Sequence, residues 1–259
     1  MVDLNKITEL GKSSNYKNDY DPSLLVAVPR QKFKQYGIDI WRSWETSWID
    51  SQGKPSIATV IISYKADSPY IVESKSLKLY LGSLNFTKFT SESQVLTTIM
   101  RDVSYIVGSK VSAEFESDSR RSEPKGICID QEPITKIYSE PRAALLQCDS
   151  KNTSETLYTN LFRSCCPVTA QPDWASIVIN YTGPIISRPE LLAYLLSYRN
   201  HSGFHESCVS EIFSDITNFC NPDKLIVTGY FTRRGGIDIN PVRSSHKDIT
   251  YNNIYLDRQ

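Results

Sequence analysis

A cysteine and an aspartate lie close together in residues 166–174, which read CPVTAQPDW. A thiolate is a strong nucleophile, and a nearby carboxyl group can supply the proton that addition to a multiple bond requires. Pro167 and Pro172 fix their own φ angles and bias the residues before them towards extended conformations. The segment therefore predicts a rigid loop that carries Cys166 as a nucleophile and Asp173 as an acid. The alternative, which is common for cysteine, is a buried and inert thiol.

Two further segments have residue types that suit an anion. Residues 73–80 (ESKSLKLY) begin a predicted helix, where free N–H groups and the Ser74 hydroxyl can bind an anion. Lys75 and Lys78 add positive charge on one face of that helix. Residues 233–236 (RRGG) place two guanidinium groups beside a flexible turn, which also suits phosphate. Without a ligand, the same patterns describe a capped amphipathic helix and a solvated turn.

Residues 204–206 (FHE) begin the last predicted helix. A glutamate in a first turn interacts favourably with the helix dipole, and this is its commonest role. A carboxylate can also accept paired hydrogen bonds from the N–H and NH₂ groups of guanine or a pterin. His201, His205 and Cys208 are the best candidate metal ligands. Gly203 weakens any helix that would bring them together, so we predict no metal site.

The composition excludes several classes of protein. The chain has 259 residues with 29 basic and 29 acidic side chains, which argues against wrapping duplex nucleic acid or adhering to an anionic membrane. No apolar run is long enough for a membrane span, and the first residues lack a signal-peptide core. We therefore expect a soluble, cytoplasmic protein whose six cysteines are reduced thiols.

The elements that must position these residues recur in the same order along the chain. The first series has predicted strands at 40–49, 57–64, 110–116 and 126–130, with helices at 74–84 and 92–107. The second series has strands at 143–148, 155–164, 174–182, 224–232 and 237–242, with helices at 189–198 and 206–219. A polar connection, residues 117–125, lies between them. We predict an α+β fold with two antiparallel sheets, each with a helix pair on one face.

In this order, residues 73–80, 166–173, 204–206 and 233–241 resemble the QueF family, the NADPH-dependent 7-cyano-7-deazaguanine reductases of queuosine biosynthesis. Residues 20–25 and the Trp-rich first strand are similar to the long, two-module form of that family. The resemblance implies two tandem tunnelling-fold (T-fold) modules. We expect an N-terminal tail at 1–21, a first module at 22–135 and a second module at 136–259.

The resemblance also implies a mechanism and a set of site residues. Cys166 would add to the nitrile carbon to form a covalent thioimide, and Asp173 would protonate the nitrile nitrogen. Two hydrides from two NADPH molecules would then give the amine, 7-aminomethyl-7-deazaguanine. The implied substrate-binding residues are Val72, Glu73, Ser74, His205 and Glu206, and the implied NADPH-binding residues are Ser74, Lys75, Arg234 and Gly235. A homodimer or higher homo-oligomer is expected, with no direct nucleic acid or membrane partner.

Cys165 directly precedes the predicted nucleophile, at a position where many relatives have asparagine. We favour Cys166, because the Pro-Val-Thr sequence and the step to Asp173 both start there. Adjacent extended residues face opposite sides, so Cys165 is expected to point away. Cys208 follows His205 by one helical turn, and under oxidation it could pair with Cys166 and protect it.

Two alternative functions remain open. One is another T-fold purine or pterin enzyme, such as a zinc-dependent cyclohydrolase, which would need a convincing metal triad. The other is a purine-binding module without catalysis, which would keep Glu206 but not the chemistry. The joint presence of Cys166, Asp173 and the lysines of residues 73–80 argues against the second alternative.

Overall fold

The computed structural model describes residues 19–117, 120–248 and 254–259. Most of the predicted tail and part of the predicted connection at 117–125 lie outside these residues. The architecture is mixed α+β, and the described residues form two compact units. The first unit combines residues 19–31, 40–117 and 233–238, and the second combines residues 32–39, 120–232, 239–248 and 254–259.

The first unit carries the helix that begins with the segment at residues 73–80. Its main strands have the order β5–β3–β2, and β3 pairs antiparallel with β5, while β1 and β4 form a separate antiparallel pair. The elements are β1 (Ala27–Pro29), β2 (Tyr36–Ile49), β3 (Pro55–Lys65), β4 (Tyr70–Val72), α1 (Ser74–Ser83), α2 (Glu92–Val107) and β5 (Val111–Phe115). The first four residues of β2 belong to the second unit.

Helix α2 shows why the sequence folds in this way. Val95, Ile99 and Val103 recur at helical spacing, and all three are fully buried. The Ser91 side chain accepts from the N–H of Gln94 at the start of the helix, and Gly108 ends it with a φ of 66°. A left-handed residue at the end of a helix favours glycine, because a side chain there is strained. The predicted helix at 92–107 is confirmed.

The second unit carries the predicted nucleophile loop. Its strand order is β11–β10–β9–β8–β7, antiparallel from β8 to β11, whereas the short β7 pairs parallel to β8. The elements are β6 (Arg120–Arg121), β7 (Ile127–Cys128), β8 (Cys148–Cys165), β9 (Pro172–Ile186), α3 (Arg188–Leu196), α4 (His205–Cys220), β10 (Lys224–Phe231), β11 (Ile237–Ser244) and β12 (Ile254–Tyr255). The first two residues of β11 belong to the first unit.

The core of the second unit lies between this sheet and its two helices. Helix α4 packs against β10, and its buried side chains include Val209, Ile212 and Ile216 at helical spacing. Phe162 of β8 and Phe231 of β10 are fully buried in the same cluster. Burial of these apolar side chains fixes the first turn of α4 against the sheet, which positions His205 and Glu206 for the site.

Most of the predicted elements are confirmed, and one is wrong. Residues 143–148 do not form a strand, because Ala143–Leu145 is a single 3-10 turn. Leu146 follows that turn and is buried in the core, so the apolar run packs as a turn rather than joining a ladder. None of the helices in the described ranges is long and apolar enough to cross a membrane.

Candidate active site

The hairpin between β8 and β9 carries the predicted nucleophile in its loop, residues 166–171. The backbone N–H of Cys166 donates to the carbonyl of Gln171 at 2.9 Å. The carbonyl of Cys166 accepts from the N–H of Ala170 at 3.0 Å. Because both backbone groups of Cys166 are bonded within the loop, a fixed main chain carries the half-buried thiol, as the two prolines predict.

The predicted acid lies on the strand that leaves this loop. Asp173 of β9 pairs with Ser164 of β8, and only 4% of Asp173 is exposed. The His205 Nε2 atom lies 3.2 Å from Asp173 Oδ2, and the imidazole stacks on the Phe231 ring at a centroid distance of 3.9 Å. A buried carboxyl group beside an imidazole is placed to hold or release a proton.

His205 and Glu206 occupy the first turn of α4. The Asp173 carboxylate beside Nε2 favours the tautomer that carries its proton there, so the neutral imidazole presents Nδ1 as an acceptor. That Nδ1 atom is buried and has no hydrogen-bond partner within the described residues. Glu206 is buried at the amino-terminal end of the helix, where the helix dipole favours its negative charge. The turn therefore presents two hydrogen-bond acceptors for a ligand's N–H groups.

Cys165 makes a different set of contacts from Cys166. Its N–H donates to the carbonyl of His201 at 2.8 Å, and its carbonyl accepts from the N–H of Gly203 at 3.2 Å. Its Sγ atom lies 3.5 Å from the carbonyl oxygen of Arg199. The main chain of Cys165 thus joins the end of β8 to the segment that leads into α4.

The remaining predicted thiol and metal candidates have separate surroundings. Cys208 is fully buried, and burial raises the pKa of its thiol well above the ordinary value, so the thiol stays protonated. His201 pairs with Glu211 at 3.3 Å, whereas His205 pairs with Asp173. Across the residues that the structure describes, no group of three His, Cys, Asp or Glu side chains is arranged to hold a metal ion.

In the first unit, Glu73 acts as the cap of α1. Its Oε1 accepts from the N–H of Lys75 at 2.9 Å, and its Oε2 accepts from the N–H of Ser76 at 2.7 Å. Its own N–H donates to the carbonyl of Val26, which ties the start of the helix to the chain before β1. These two helix N–H groups are therefore bonded to a carboxylate, and the cations of the segment are the groups left to attract an anion.

A cleft of about 210 Å³ opens beside α1, lined by Lys78, Glu45 and the glycine turn at Gly235 and Gly236. Burial lowers the pKa of Lys78, and the nearby Arg234 guanidinium lowers it further. Gly235 has a φ of 57°, and a Cβ there would collide with the Lys78 Nζ atom. The backbone of the turn therefore lies directly against the Lys78 side chain. This contact brings together the two predicted cationic segments, residues 73–80 and 233–236.

This cleft fits the phosphate groups of a nucleotide. Lys78 and Arg234 repel each other, and a bound phosphate would remove that repulsion. The glycine turn lets the Lys78 ammonium group lie directly against the backbone, which fixes this positive charge beside the cleft. The predicted NADPH-binding residues, Ser74, Lys75, Arg234 and Gly235, all lie in the first unit, as do Val72 and Glu73.

Sequence reasoning missed three residues that shape these sites. Phe231 supports the His205 ring, and its only sequence signal is its place at the end of an apolar strand. Trp44 stacks against Arg233 at 4.7 Å and donates from Nε1 to Asp238 at 2.6 Å, although its indole was expected only as part of a strand pattern. Arg243 contacts the backbone of Glu206, and nothing in its neighbouring sequence indicates that contact.

Comparison with known proteins assigns the chain to a family. A family model described as the N-terminal part of the nitrile reductase 7-cyano-7-deazaguanine reductase matches residues 16–115, and a model described as QueF-like protein matches residues 172–250. A protein of Legionella pneumophila (strain Lens), named NADPH-dependent 7-cyano-7-deazaguanine reductase, is 43% identical over 97% of this chain and 95% of its own length. The chain belongs to the QueF family of nitrile reductases.

Other QueF relatives match over similar lengths. A protein of the same name from Desulfotalea psychrophila (strain LSv54 / DSM 12343) is 43% identical over 96% of both chains. Another, from Paraburkholderia phytofirmans (strain DSM 17436 / LMG 22146 / PsJN), is 44% identical over 96% of this chain and 97% of its own. The two QueF family models contain Glu73, Asp173, His205 and Glu206, whereas Cys166 lies between the matched regions.

Proposed function

We propose that this QueF-family chain reduces the nitrile of 7-cyano-7-deazaguanine to the primary amine 7-aminomethyl-7-deazaguanine with NADPH, in queuosine biosynthesis. The observation that carries the proposal is the identity of 43% over 97% of the chain with a protein named for this activity. The nucleophile loop and the buried Asp173–His205 pair support it, because they supply the groups that addition to a nitrile requires.

In this mechanism, Cys166 Sγ forms a bond to the nitrile carbon while one C–N π bond breaks. The Asp173 carboxylate takes the proton of the Cys166 thiol and passes it to the nitrile nitrogen. The product of addition is a neutral thioimide, and Asp173 is again a carboxylate, so atoms and charge balance. His205 holds the Asp173 carboxyl group in place through Nε2. NADPH, when bound, supplies hydride to the former nitrile carbon. The thioimide accepts hydride more readily than the nitrile, and departure of the sulfur restores Cys166 before the second reduction.

The substrate is a guanine-like base with an N–H and an NH₂ group on one edge. The buried carboxylate of Glu206 is suited to accept hydrogen bonds from both groups, with His205 beside it. We also assign Val72, Glu73 and Ser74 to substrate binding, because their segment resembles the corresponding one in the family. Ser74, Lys75, Arg234 and Gly235 are assigned to NADPH, since the cations and the glycine turn suit phosphate.

The proposal extends to the organisation of the protein. We assign residues 22–135 and 136–259 to two tandem T-fold modules, and we expect a homodimer or higher homo-oligomer. A cytoplasmic location suits a protein in which all six cysteines are free thiols. The two alternatives, a cyclohydrolase-like T-fold enzyme and a purine-binding module, find no specific support in the described residues.

The decisive assay follows NADPH oxidation by absorbance with 7-cyano-7-deazaguanine, with and without a chelator. Reduction of a nitrile to an amine takes up two hydrides and two protons, so we expect two NADPH molecules to be consumed per nitrile in both conditions. Intact-mass analysis with substrate alone should show a covalent adduct in the wild type and in Cys165→Ala, and none in Cys166→Ala. Absence of NADPH oxidation would refute the proposed activity. An adduct that persists in Cys166→Ala and is lost in Cys165→Ala would reverse the assignment of the nucleophile.

A further inference from the structure

Arg243 lies in β11, and its side chain contacts the first turn of α4. Its NH2 group donates to the main-chain carbonyl of Glu206 at 3.1 Å, and its Nε donates to Ser210 Oγ at 2.8 Å. Ser210 Oγ donates in turn to the same carbonyl of Glu206 at 2.7 Å. Two side-chain donors therefore converge on the backbone of the residue assigned to the purine edge.

The guanidinium of Arg243 is itself held in one orientation. Its NH1 group lies 2.8 Å from Asp39 Oδ1 and donates to the carbonyl of Val242 at 3.0 Å. Gln35 Nε2 donates to Ser210 Oγ at 2.7 Å, which fixes the serine as well. Arg243 and Asp39 are both fully buried. A buried ion pair contributes little net stability, because desolvation offsets its attraction, so its main effect here is on geometry.

Helix α4 needs such support because its start has no side-chain cap. Phe204 occupies the cap position and provides no side-chain hydrogen bond to the helix. Most helices fix their first turn through a Ser, Thr, Asp or Asn at that position. A side-chain cap accepts from the first N–H groups of a helix. In α4, Arg243 and Ser210 instead donate to the carbonyl of Glu206, and these contacts fix the first turn.

We propose that Arg243 and Ser210 are positioning residues that hold Glu206 for recognition of the amino-substituted edge of the purine. The inference rests on the proposed function, in which the Glu206 carboxylate accepts from the N–H and NH₂ groups of the substrate. Paired hydrogen bonds tolerate little displacement, so a small shift of the turn weakens binding of this edge. Arg243 thereby sets the preference for a base with an amino group over one without it.

The test is Arg243→Lys, which keeps the charge but loses the planar fork that reaches Glu206 and Ser210 together. We expect the KM for 7-cyano-7-deazaguanine to rise about tenfold while kcat stays within about threefold, because binding to substrate and transition state weakens equally. The wild-type preference for this substrate over the analogue without the 2-amino group should shrink by a similar factor. Arg188→Lys is the matched control, since Arg188 pairs with Glu155 in the same unit.

A structural role alone predicts a different result. If Arg243→Lys lowers kcat in proportion to its loss of folded protein, with KM and the preference for the 2-amino group unchanged, the inference is overturned. If Arg243→Lys does not fold, Ser210→Ala decides: it removes one of the two donors to Glu206, and we expect a KM increase of about threefold and a reduced preference. Unchanged KM and preference in Ser210→Ala would reject the inference.

The proposed function and this inference can fail separately. If the wild type oxidises no NADPH, the proposed activity is refuted, and calorimetric titration with the two purines measures the preference directly. A preference that falls in Arg243→Lys or Ser210→Ala, but not in Arg188→Lys, supports the positioning role. A wild type that does not distinguish the two purines, or variants that distinguish them equally well, would reject it.

Discussion

At the residue scale, the same side-chain types take different roles according to their surroundings. Cys166 has both backbone groups bonded within a short loop, whereas Cys208 is fully buried with a raised thiol pKa. The sequence predicts the Cys166 loop because two prolines restrict it. For residues 73–80 it leaves a capped helix and an anion site as alternatives, since a capping carboxylate and a ligand-binding carboxylate look alike in a sequence; the structure shows that Glu73 caps α1.

Lys78 gives a prediction of pH dependence at this scale. Burial and Arg234 lower its pKa in the free protein, so its charged form is disfavoured there. A bound phosphate favours the charged form and raises the pKa again, so binding takes up protons wherever free Lys78 is partly deprotonated. We therefore expect the Kd for NADPH to rise with pH in the alkaline range.

The measurement is equilibrium binding of NADPH, followed by its fluorescence, between about pH 7 and pH 10. Lys78→Arg should flatten the alkaline rise, because a guanidinium stays charged throughout this range. Lys78→Met should weaken binding at every pH and also remove the rise. The same alkaline rise in all three proteins would show that another group is responsible.

At the element scale, local patterns predict the helices better than the strands. The helix at 92–107 has its cap residue, its apolar spacing and its terminal glycine all within one short segment, and the structure has the same bounds. Strand β8 runs from Cys148 to Cys165, well beyond the predicted 155–164, because its polar first half is held by pairing with β9. Strand length depends on a partner that the local sequence does not contain.

The β8–β9 loop gives a prediction of stability. Ala170 has a φ of 55° and an exposed side chain. It therefore adopts a strained left-handed conformation, and burial of its side chain does not compensate for the strain. That strain is about 1–2 kcal/mol, and the greater freedom of glycine in the unfolded chain offsets part of it. We expect Ala170→Gly to raise the free energy of unfolding by about 0.5–1 kcal/mol.

Ala175 is the matched control for that loop substitution. It lies in β9, is fully buried and does not have a positive φ. Ala175→Gly should therefore lower the free energy of unfolding by about 1 kcal/mol, through lost packing and added chain freedom. Thermal and denaturant unfolding of both variants show whether each substitution raises or lowers the free energy of unfolding. A loss of stability in Ala170→Gly would contradict the role of strain in this loop.

At the scale of the whole molecule, the two compact units are not continuous segments of sequence. Residues 233–238 belong to the first unit, where Asp238 accepts from Trp44 Nε1 and pairs with the buried Arg42 at 3.4 Å. These contacts join residues almost two hundred positions apart, and no periodicity or local motif encodes such a separation. The order of motifs along the chain therefore predicts which residues belong to the candidate sites. Which of these residues share a compact unit can be seen only in the folded structure.

The last residues of the chain make a contact of the same long-range kind. Leu256 is buried, and Gln259 Nε2 donates to the carbonyl of Phe231 at 3.0 Å and to Asn240 Oδ1 at 2.7 Å. Phe231 is the residue whose ring stacks on His205, so Gln259 supports the backbone of the residue that packs against this imidazole. The residues directly before Gln259, Asp257 and Arg258, are charged, and they give no sign that Gln259 is buried.

We expect Gln259→Ala to lower the free energy of unfolding by about 1–3 kcal/mol, because two buried acceptors lose a donor in a place that water does not easily reach. Arg258→Ala is the control: this neighbour is exposed and donates to the carbonyl of Asn160, so its loss should change stability by less than about 0.5 kcal/mol. Denaturant unfolding of the two variants measures both effects, provided that the free energy of unfolding depends equally on denaturant concentration in both. Equal stability of the two variants would mean that the contact with Phe231 does not hold the chain in place, and that the support of His205 comes from the packing of the Phe231 ring alone.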